Sequence, residues 1–301
     1  MSRLGLHFAR RSLLTLAVAL AVTLPAFAAG PLTWTFEKGK VLKYDFVQKN
    51  SIKATVEGQE QGNDSTLDVD LTWTVDSVSP EGVASITQTI DHARVTLKVM
   101  GQDLVYDSKE KKAEDPAIAP IAKIYDSVIG EKYTLKISKR GEILEVTVPD
   151  KVSASIKGTP FEMLADSGSL LSSKGIKAMM MQVLPTLPAK EVEKGGTWTG
   201  TVDLPAGPLS MTLDSTYTLT DLADGVATIV GKIDIKLKAK EDAKPKVTVE
   251  KQTGESKYVI DSKAGVMSSS AIKQSFELVI MNENQKFVQA MTIDATMKLI
   301  K

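Results

Sequence analysis

Apolar and polar residues alternate along most of this chain. From position 67, Leu67, Val69, Leu71, Trp73 and Val75 fall on one side, and Asp68, Asp70, Thr72, Thr74 and Asp76 on the other. Successive side chains of a β-strand point to opposite faces, so this pattern predicts a strand with one face on a core and one in water. Leu209, Met211, Leu213, Tyr217 and Leu219 repeat it against Ser210, Thr212, Asp214, Thr218 and Thr220. So do Ile229, Ile233, Ile235 and Leu237 against Lys232, Asp234, Lys236 and Lys238, and Phe287, Met291, Ile293, Met297 and Leu299 against Thr292, Asp294, Thr296 and Lys298. These strands are longer than the usual five or six residues. Short turn sequences separate them, at Ser79-Pro80-Glu81-Gly82, Lys139-Arg140-Gly141, Ala223-Asp224-Gly225, Lys263-Ala264-Gly265 and Asn282-Glu283-Asn284. Long strands joined by tight turns run antiparallel. The expectation is a mainly β protein, its long antiparallel strands forming a curved sheet or half-barrel.

The same blocks occur twice in the same order. Glu37-Lys38-Gly39 returns as Glu193-Lys194-Gly195. Trp73-Thr74-Val75 followed by Gly82-Val83-Ala84 returns as Tyr217-Thr218-Leu219 followed by Gly225-Val226-Ala227. Ile90-Asp91 returns as Ile233-Asp234, and Lys132-Tyr133 with Gly141 as Lys257-Tyr258 with Gly265. Two similar β units follow from this, over 29–155 and 191–301, either side by side or fused into one sheet. Between them, over 156–190, the period changes. Ile176, Met179, Met180, Val183 and Leu184 stand at helical spacing, and Pro185 and Pro188 close the segment. A shorter helical turn is predicted at Phe161–Leu164, with Thr159 as cap and Pro160 in the first position. Lys109 to Pro120, charged and then rich in Pro and Ala, reads as a loop.

The first 28 residues have a different character. Arg3, Arg10 and Arg11 precede an apolar run from Leu13 to Leu24, and Pro25-Ala26-Phe27-Ala28 ends in a small-x-small pattern. That is the plan of a secretory signal peptide, with cleavage expected after Ala28. Arg10-Arg11 is a weak twin-arginine signal. The expected address is therefore exported, periplasmic or extracellular. No transmembrane span is expected in the mature chain, because the apolar run is shorter than the roughly 20 residues a bilayer needs. The chain contains no cysteine, which excludes a thiol nucleophile, a cysteine metal site and a lipid-anchored N-terminal Cys.

Charge narrows the partners. The 37 basic and 37 acidic residues balance, and loss of three signal arginines leaves the mature form slightly acidic. Nothing in that balance suggests nucleic acid. Lys232, Lys236, Lys238, Lys240, Lys244 and Lys246 form a basic stripe, expected to protect a sheet edge or to face solvent.

Candidate chemistry is sparse. His92 is the only histidine beyond the signal, so a His-based triad would need it and a multi-His metal site is impossible. It sits beside Asp91 in a predicted strand, where a structural role is expected. Asp68, Asp70 and Asp76 share the polar side of one strand and read as a solvated face. Ser270-Ala271-Ile272-Lys273 matches Ser-x-x-Lys but falls in a predicted strand rather than at a helix start. Gly225 to Lys232 has the wrong spacing for a phosphate loop. No catalytic residue, metal site or cofactor is expected. Methionine suits adaptable apolar surfaces, so the Met179-Met180-Met181 helix reads as plain core or as a lid over an apolar groove. The candidate apolar-ligand contacts are Ile176, Met179, Met180, Val183, Trp73 and Tyr217.

The plan resembles a family of uncharacterised exported bacterial proteins. The resemblance rests on the signal segment, Glu37-Lys38-Gly39, Tyr44, Trp73-Thr74-Val75, Ile90-Asp91, and Leu184-Pro185 ahead of Gly195-Gly196-Thr197-Trp198. It spans nearly the whole mature chain and implies no activity. Architecturally the plan is also similar to periplasmic lipoprotein and lipid carriers, in which a curved antiparallel sheet cups helices. The expected function is non-enzymatic binding in the cell envelope, with an apolar ligand or lipidated partner held in a concave sheet. The alternative is an envelope scaffold acting through protein–protein contacts, its partner an envelope protein bound at strand edges. An outer-membrane barrel also fits the alternation, but its aromatic girdles are hard to build when aromatics are 5% of residues.

Overall fold

A computed structural model describes residues 32–56, 59–99, 101–110, 116–158, 162, 170–206, 209–239, 246–282 and 285–300. The signal segment lies outside the described residues, as does the turn predicted at 161–164 apart from residue 162.

Twelve strands form one antiparallel sheet. They are β1 (Val41–Val56), β2 (Gln59–Val78), β3 (Ala84–Val99), β4 (Gln102–Asp107), β5 (Lys132–Ile137), β6 (Ile143–Thr147), β7 (Thr197–Ala206), β8 (Leu209–Ala223), β9 (Val226–Ala239), β10 (Lys246–Asp261), β11 (Val266–Asn282) and β12 (Gln285–Leu299). The order across the sheet is β6-β5-β3-β2-β1-β12-β11-β10-β9-β8-β7, and β4 pairs with the far half of β3. Among the described residues β6 and β7 do not pair, so the sheet is open and the barrel reading does not hold.

The duplication is built into this order. β1-β2-β3-β5-β6 and β7-β8-β9-β10-β11 are five-stranded meanders laid in the same sequence and the same direction, with β12 between them. Their details repeat. Gly39 donates its N–H to the Val75 carbonyl (2.8 Å) and Lys40 accepts from Val75 (3.0 Å); Gly195 and Gly196 make the same pair of bonds with Leu219 (2.7 and 3.1 Å). A bulge follows at each place, between Val75 and Ser77 and between Leu219 and Asp221. The Asp224-Gly225 turn has positive φ at both residues, as the tightest hairpins require.

The end of the sheet where β1 begins is packed solid. Tyr44, Phe46, Leu71, Trp73, Ile86, Tyr133, Leu135, Tyr258 and Met297 are all buried there. Residues 32–36 cross this end. Trp34 donates its backbone N–H to Lys139 in the β5–β6 turn (2.8 Å), and Thr35 donates to Gly265 in the β10–β11 turn (3.0 Å). One short segment thus ties together the equivalent turns of the two units.

Among the described residues three helices accompany the sheet. α3 (Ser173–Val183) realises the predicted helix, capped by the Ser172 side chain, which accepts from the Gly175 N–H. Two helices went unpredicted. Lys109–Pro120 was expected as a loop, but α1 (Ala119–Val128) begins inside it, with Pro120 in its first turn, where the missing N–H costs nothing. α2 (Asp150–Ile156) lies at the boundary drawn between the first unit and the connector. α3 packs against the edge strands β6 and β7 and against the central strands β11 and β12, which puts it inside the curve of the sheet. The chain then passes between the edges. Leu187 donates its N–H to the Arg140 carbonyl (2.8 Å), Arg140 returns Nε to the Leu187 carbonyl (2.9 Å), and Trp198 Nε1 reaches the Thr186 carbonyl (2.8 Å).

The lysine stripe starts on β9, which pairs with β8 along its length but with β10 only as far as Lys232 opposite Glu255. Lys232 and Lys236 stand on the outer face, where Lys236 pairs with Asp214 at 2.7 Å.

Gly265 and Gly101 separate backbone strain from packing. Both have positive φ (61° and 82°), but a Cβ at Gly265 would sit 2.2 Å from Thr35 Cβ, whereas nothing lies within 4 Å at Gly101. Gly101→Ala should cost about 1–2 kcal/mol, the left-handed penalty alone. Gly265→Ala should cost distinctly more, as it also pushes the crossing segment off the turn. Urea unfolding of both variants measures the difference.

Candidate functional site

The sheet's inner face changes character along the strands. At the closed end it is covered by α3 and fully buried. Toward the opposite end, Leu67, Leu97, Val249, Leu278, Met291 and Ile293 still face inward but are only partly buried. Strand parity places Gln48 and Asn50 on this face as well. Gln48 Nε2 donates to Asn50 Oδ1 (3.0 Å), and Asn50 Nδ2 to Ser65 Oγ (3.3 Å). The result is a cup with a solid floor, a polar band and an apolar upper wall.

No charged residue is buried in this cup among the described residues. Among the described residues the buried polar set is Gln88, Ser127, Thr212, Ser215, Ser256, Ser270 and Gln274, with no Asp, Glu, Lys, Arg or His. The cross-strand registers put the acids and bases of the strands on the outer face.

All six predicted contact residues lie in the floor. Ile176, Met179, Met180 and Val183 form the buried side of α3, and Trp73 and Tyr217 sit in the walls around it, each at most 3% exposed. Trp73 Nε1 donates to Gln88 Oε1 (2.8 Å), and the Trp73 ring meets Tyr44 edge-on at 5.1 Å. Tyr217 stacks obliquely with Trp198 and edge-on with Tyr258. The structure thus brings the six together as packed core beneath the half-open wall. The partly buried residues above them were not singled out from sequence, although strand parity alone would have found them.

The outer face carries two further features. A depression of about 660 Å³ lies over β8–β11, floored by Val230 and Ala271 and rimmed by Thr216, Lys232, Lys257 and Lys273. On β2–β4, His92 Nε2 lies 2.8 Å from Asp107 Oδ1, and Nδ1 lies 3.4 Å from Asp70 Oδ2. Arg94 reaches the other Asp107 oxygen (3.3 Å), and Lys109 reaches Asp70 (3.0 Å). Partial burial works against the Asp107 charge, but the Lys109 backbone N–H, His92 and Arg94 outweigh it and hold the carboxyl below its usual range. Asp45 is shifted the opposite way, first by burial and then by its neighbours Asp68 and Asp70. With a carboxylate facing each ring nitrogen, His92 is placed as a surface tie rather than as a base beside a nucleophile. No group of ligating side chains suited to a metal occurs among the described residues. Ser270 is buried on the inner face while Lys273 is exposed on the outer one, so the Ser-x-x-Lys match does not bring the pair together. Gly225 leads into β9, not into the helix that a phosphate loop requires. No helix among the described residues is long and apolar enough to cross a membrane.

Fold and interior define an open antiparallel half-barrel, stopped at one end by a helix and with no charged residue buried in it among the described residues. The chain belongs to a family of unknown function, DUF6263, whose model matches residues 81–267, more than half of its length. No curated protein matches it. Among solved structures it is similar to one concerned with lipid–protein interactions in lipovitellin, at 12% identity and a TM-score of 0.53. That likeness covers 88% of this chain and 25% of the other, so the chain spans about a quarter of the lipovitellin chain. At this identity it is a likeness of fold. DynF from the dynemicin biosynthesis pathway of Micromonospora chersina also matches, over 92% of this chain and 88% of that one, but 8% identity and a TM-score of 0.22 carry no argument. Both the family resemblance and the looser architectural likeness agree with the sequence reading.

The buried tyrosines give the floor a pH signature. Burial pushes the phenols of Tyr44, Tyr133 and Tyr258 far above their usual range, and all three side chains are at most 2% exposed. The unfolded chain releases these protons near pH 10 and the folded chain keeps them. Their contribution is complete below pH 10 and lost as pH rises above it, by about 1.4 kcal/mol per pH unit for each tyrosine. Thermal unfolding should therefore collapse between pH 10 and 12, with tyrosinate absorbance appearing together with loss of structure. Tyr44→Phe removes a buried hydroxyl that has no hydrogen-bond partner. It should leave neutral-pH stability equal or higher and make the alkaline limb shallower.

Proposed function

We propose that this protein is an exported carrier that holds an apolar ligand in the concave face of its sheet. The observation that carries the reading is the half-buried apolar wall above a closed floor. Apolar side chains facing inward gain little unless something covers them, at about 25 cal/mol per Å² removed from water. A ligand seated against Leu278, Met291 and Ile293 would supply that cover. Ile176, Met179, Met180 and Val183, with Trp73 and Tyr217, then form the base against which it stops. The lipovitellin-like fold supports the reading by architecture, and the signal-like first 28 residues support the address.

Partner binding by strand addition has less in its favour. The terminal strands of the order, β6 with five residues and β7 with ten, both pack against α3. An edge covered by a helix is a poor template for a further strand.

Native mass spectrometry of the mature protein, purified from its own cell envelope, tests the carrier reading. Excess mass that disappears on organic extraction is the expected result. A bare mass that stays unchanged after incubation with envelope lipids would sink the reading.

A further inference from the structure

The lining of the cup also selects among ligands. We infer that the chamber takes an uncharged ester lipid of the glyceride class, whose carbonyl accepts a hydrogen bond from the Gln274 side-chain amide; this rests on the carrier reading above.

Two independent observations converge on it. The first is the absence of charge from the buried residues among those described. An anionic head drawn into this lining would find no cation to replace its hydration, and burying an unpaired charge is heavily disfavoured. The strand lysines Lys232, Lys257 and Lys273 stand around the outer depression instead. The second is Gln274 itself. It is 3% exposed, and its Nε2 has no hydrogen-bond partner. Buried amides are nearly always satisfied, so an unused donor here calls for a partner from outside the chain. Its place suits that role. Gln274 shares the inner face of β11 with buried Ile272 and Phe276. It lies opposite Ile293 on β12, which in turn lies opposite Asn50 on β1. It therefore stands where the packed floor gives way to the half-open wall. Other buried groups without partners, such as Tyr44 and Tyr133, lie deeper, in the floor. A lipid entering from the open end meets apolar wall first and then an amide donor flanked by neutral polar groups. That order matches an acyl ester and not a phosphate.

The test compares dioleoylglycerol, dioleoylphosphatidylglycerol and hexadecane as ligands of the full-length mature protein and of Gln274→Leu. The wild-type protein should retain dioleoylglycerol and hexadecane, and phosphatidylglycerol in equal amount should not displace the dioleoylglycerol. Gln274→Leu preserves bulk and deletes a buried unpaired donor, so a purely structural Gln274 predicts equal or higher thermal stability and nothing more. The inference predicts in addition a loss of about tenfold in dioleoylglycerol affinity, the size of one neutral hydrogen bond, with hexadecane binding unchanged. Displacement by phosphatidylglycerol, or undiminished dioleoylglycerol binding by Gln274→Leu, overturns the inference. Retention of hexadecane alone also overturns it while leaving the carrier reading in place. Retention of none of the three overturns both.

Discussion

Everything in this architecture depends on the ladder between β1 and β12. Twelve residue pairs, from Tyr44 opposite Leu299 to Thr55 opposite Val288, join the first strand to the last. Without it the chain is two meanders, each with an exposed apolar face and two open edges. With it the meanders become one sheet, long enough for its own twist to curl it until β6 and β7 approach α3 from opposite sides. The helix can then serve as a common core for both units, and the crossing segment 32–36 can reach turns belonging to each.

The asymmetry of the cup follows from what fills each end. Aromatic and branched residues crowd the closed end, where a helix and the crossing segment lie over them. Toward the opposite end the strands run on with the same alternation beyond α3, and α1 meets them on the β4 side, where Tyr125 and Asp126 reach Tyr106, so many side chains of the same kinds remain partly in water. One repeating pattern thus produces a core in one place and a lined recess in another. The lone histidine, the aspartates of β2 and the lysines of β9 stand outside this interior, where they tie the outer surface together.

Much of this was legible in the order of residues. Period two marked the strands, Gly-containing turns marked their ends, and the repeated blocks around Gly39 and Gly195 proved to make identical backbone bonds. The helix through Ile176 and Met180 was visible because its apolar stripe changes the period. What could not be read was anything depending on distant pairing. Nothing local in Tyr44 or Leu299 says that they lie opposite each other. The amphipathic pattern of α3 is the same whether the helix lids a groove or packs as core, so the sequence leaves both readings open and the structure shows these residues as packed core. α1 was hidden because Pro116 and Pro120 look like loop residues, although proline in a first turn is a helix start. Lys232 and Lys236 mark a solvated face, a pattern that is the same whether a strand is paired on both sides or, as β9 is beyond Lys232, on one.

The position of β12 also sets the order in which the molecule can assemble. The strand at the middle of the sheet is the last one in chain order, and its partner β1 is the first. Pairings so distant in sequence are slow to form, because loop-closure entropy is lost before contacts reward it. Each five-stranded unit can collapse by itself from neighbouring hairpins, but the two must wait, apolar faces partly uncovered, until the final strand arrives between them. The fold is closed from its centre by its last-made strand, which leaves the waiting units open to aggregation or to a chaperone throughout that interval.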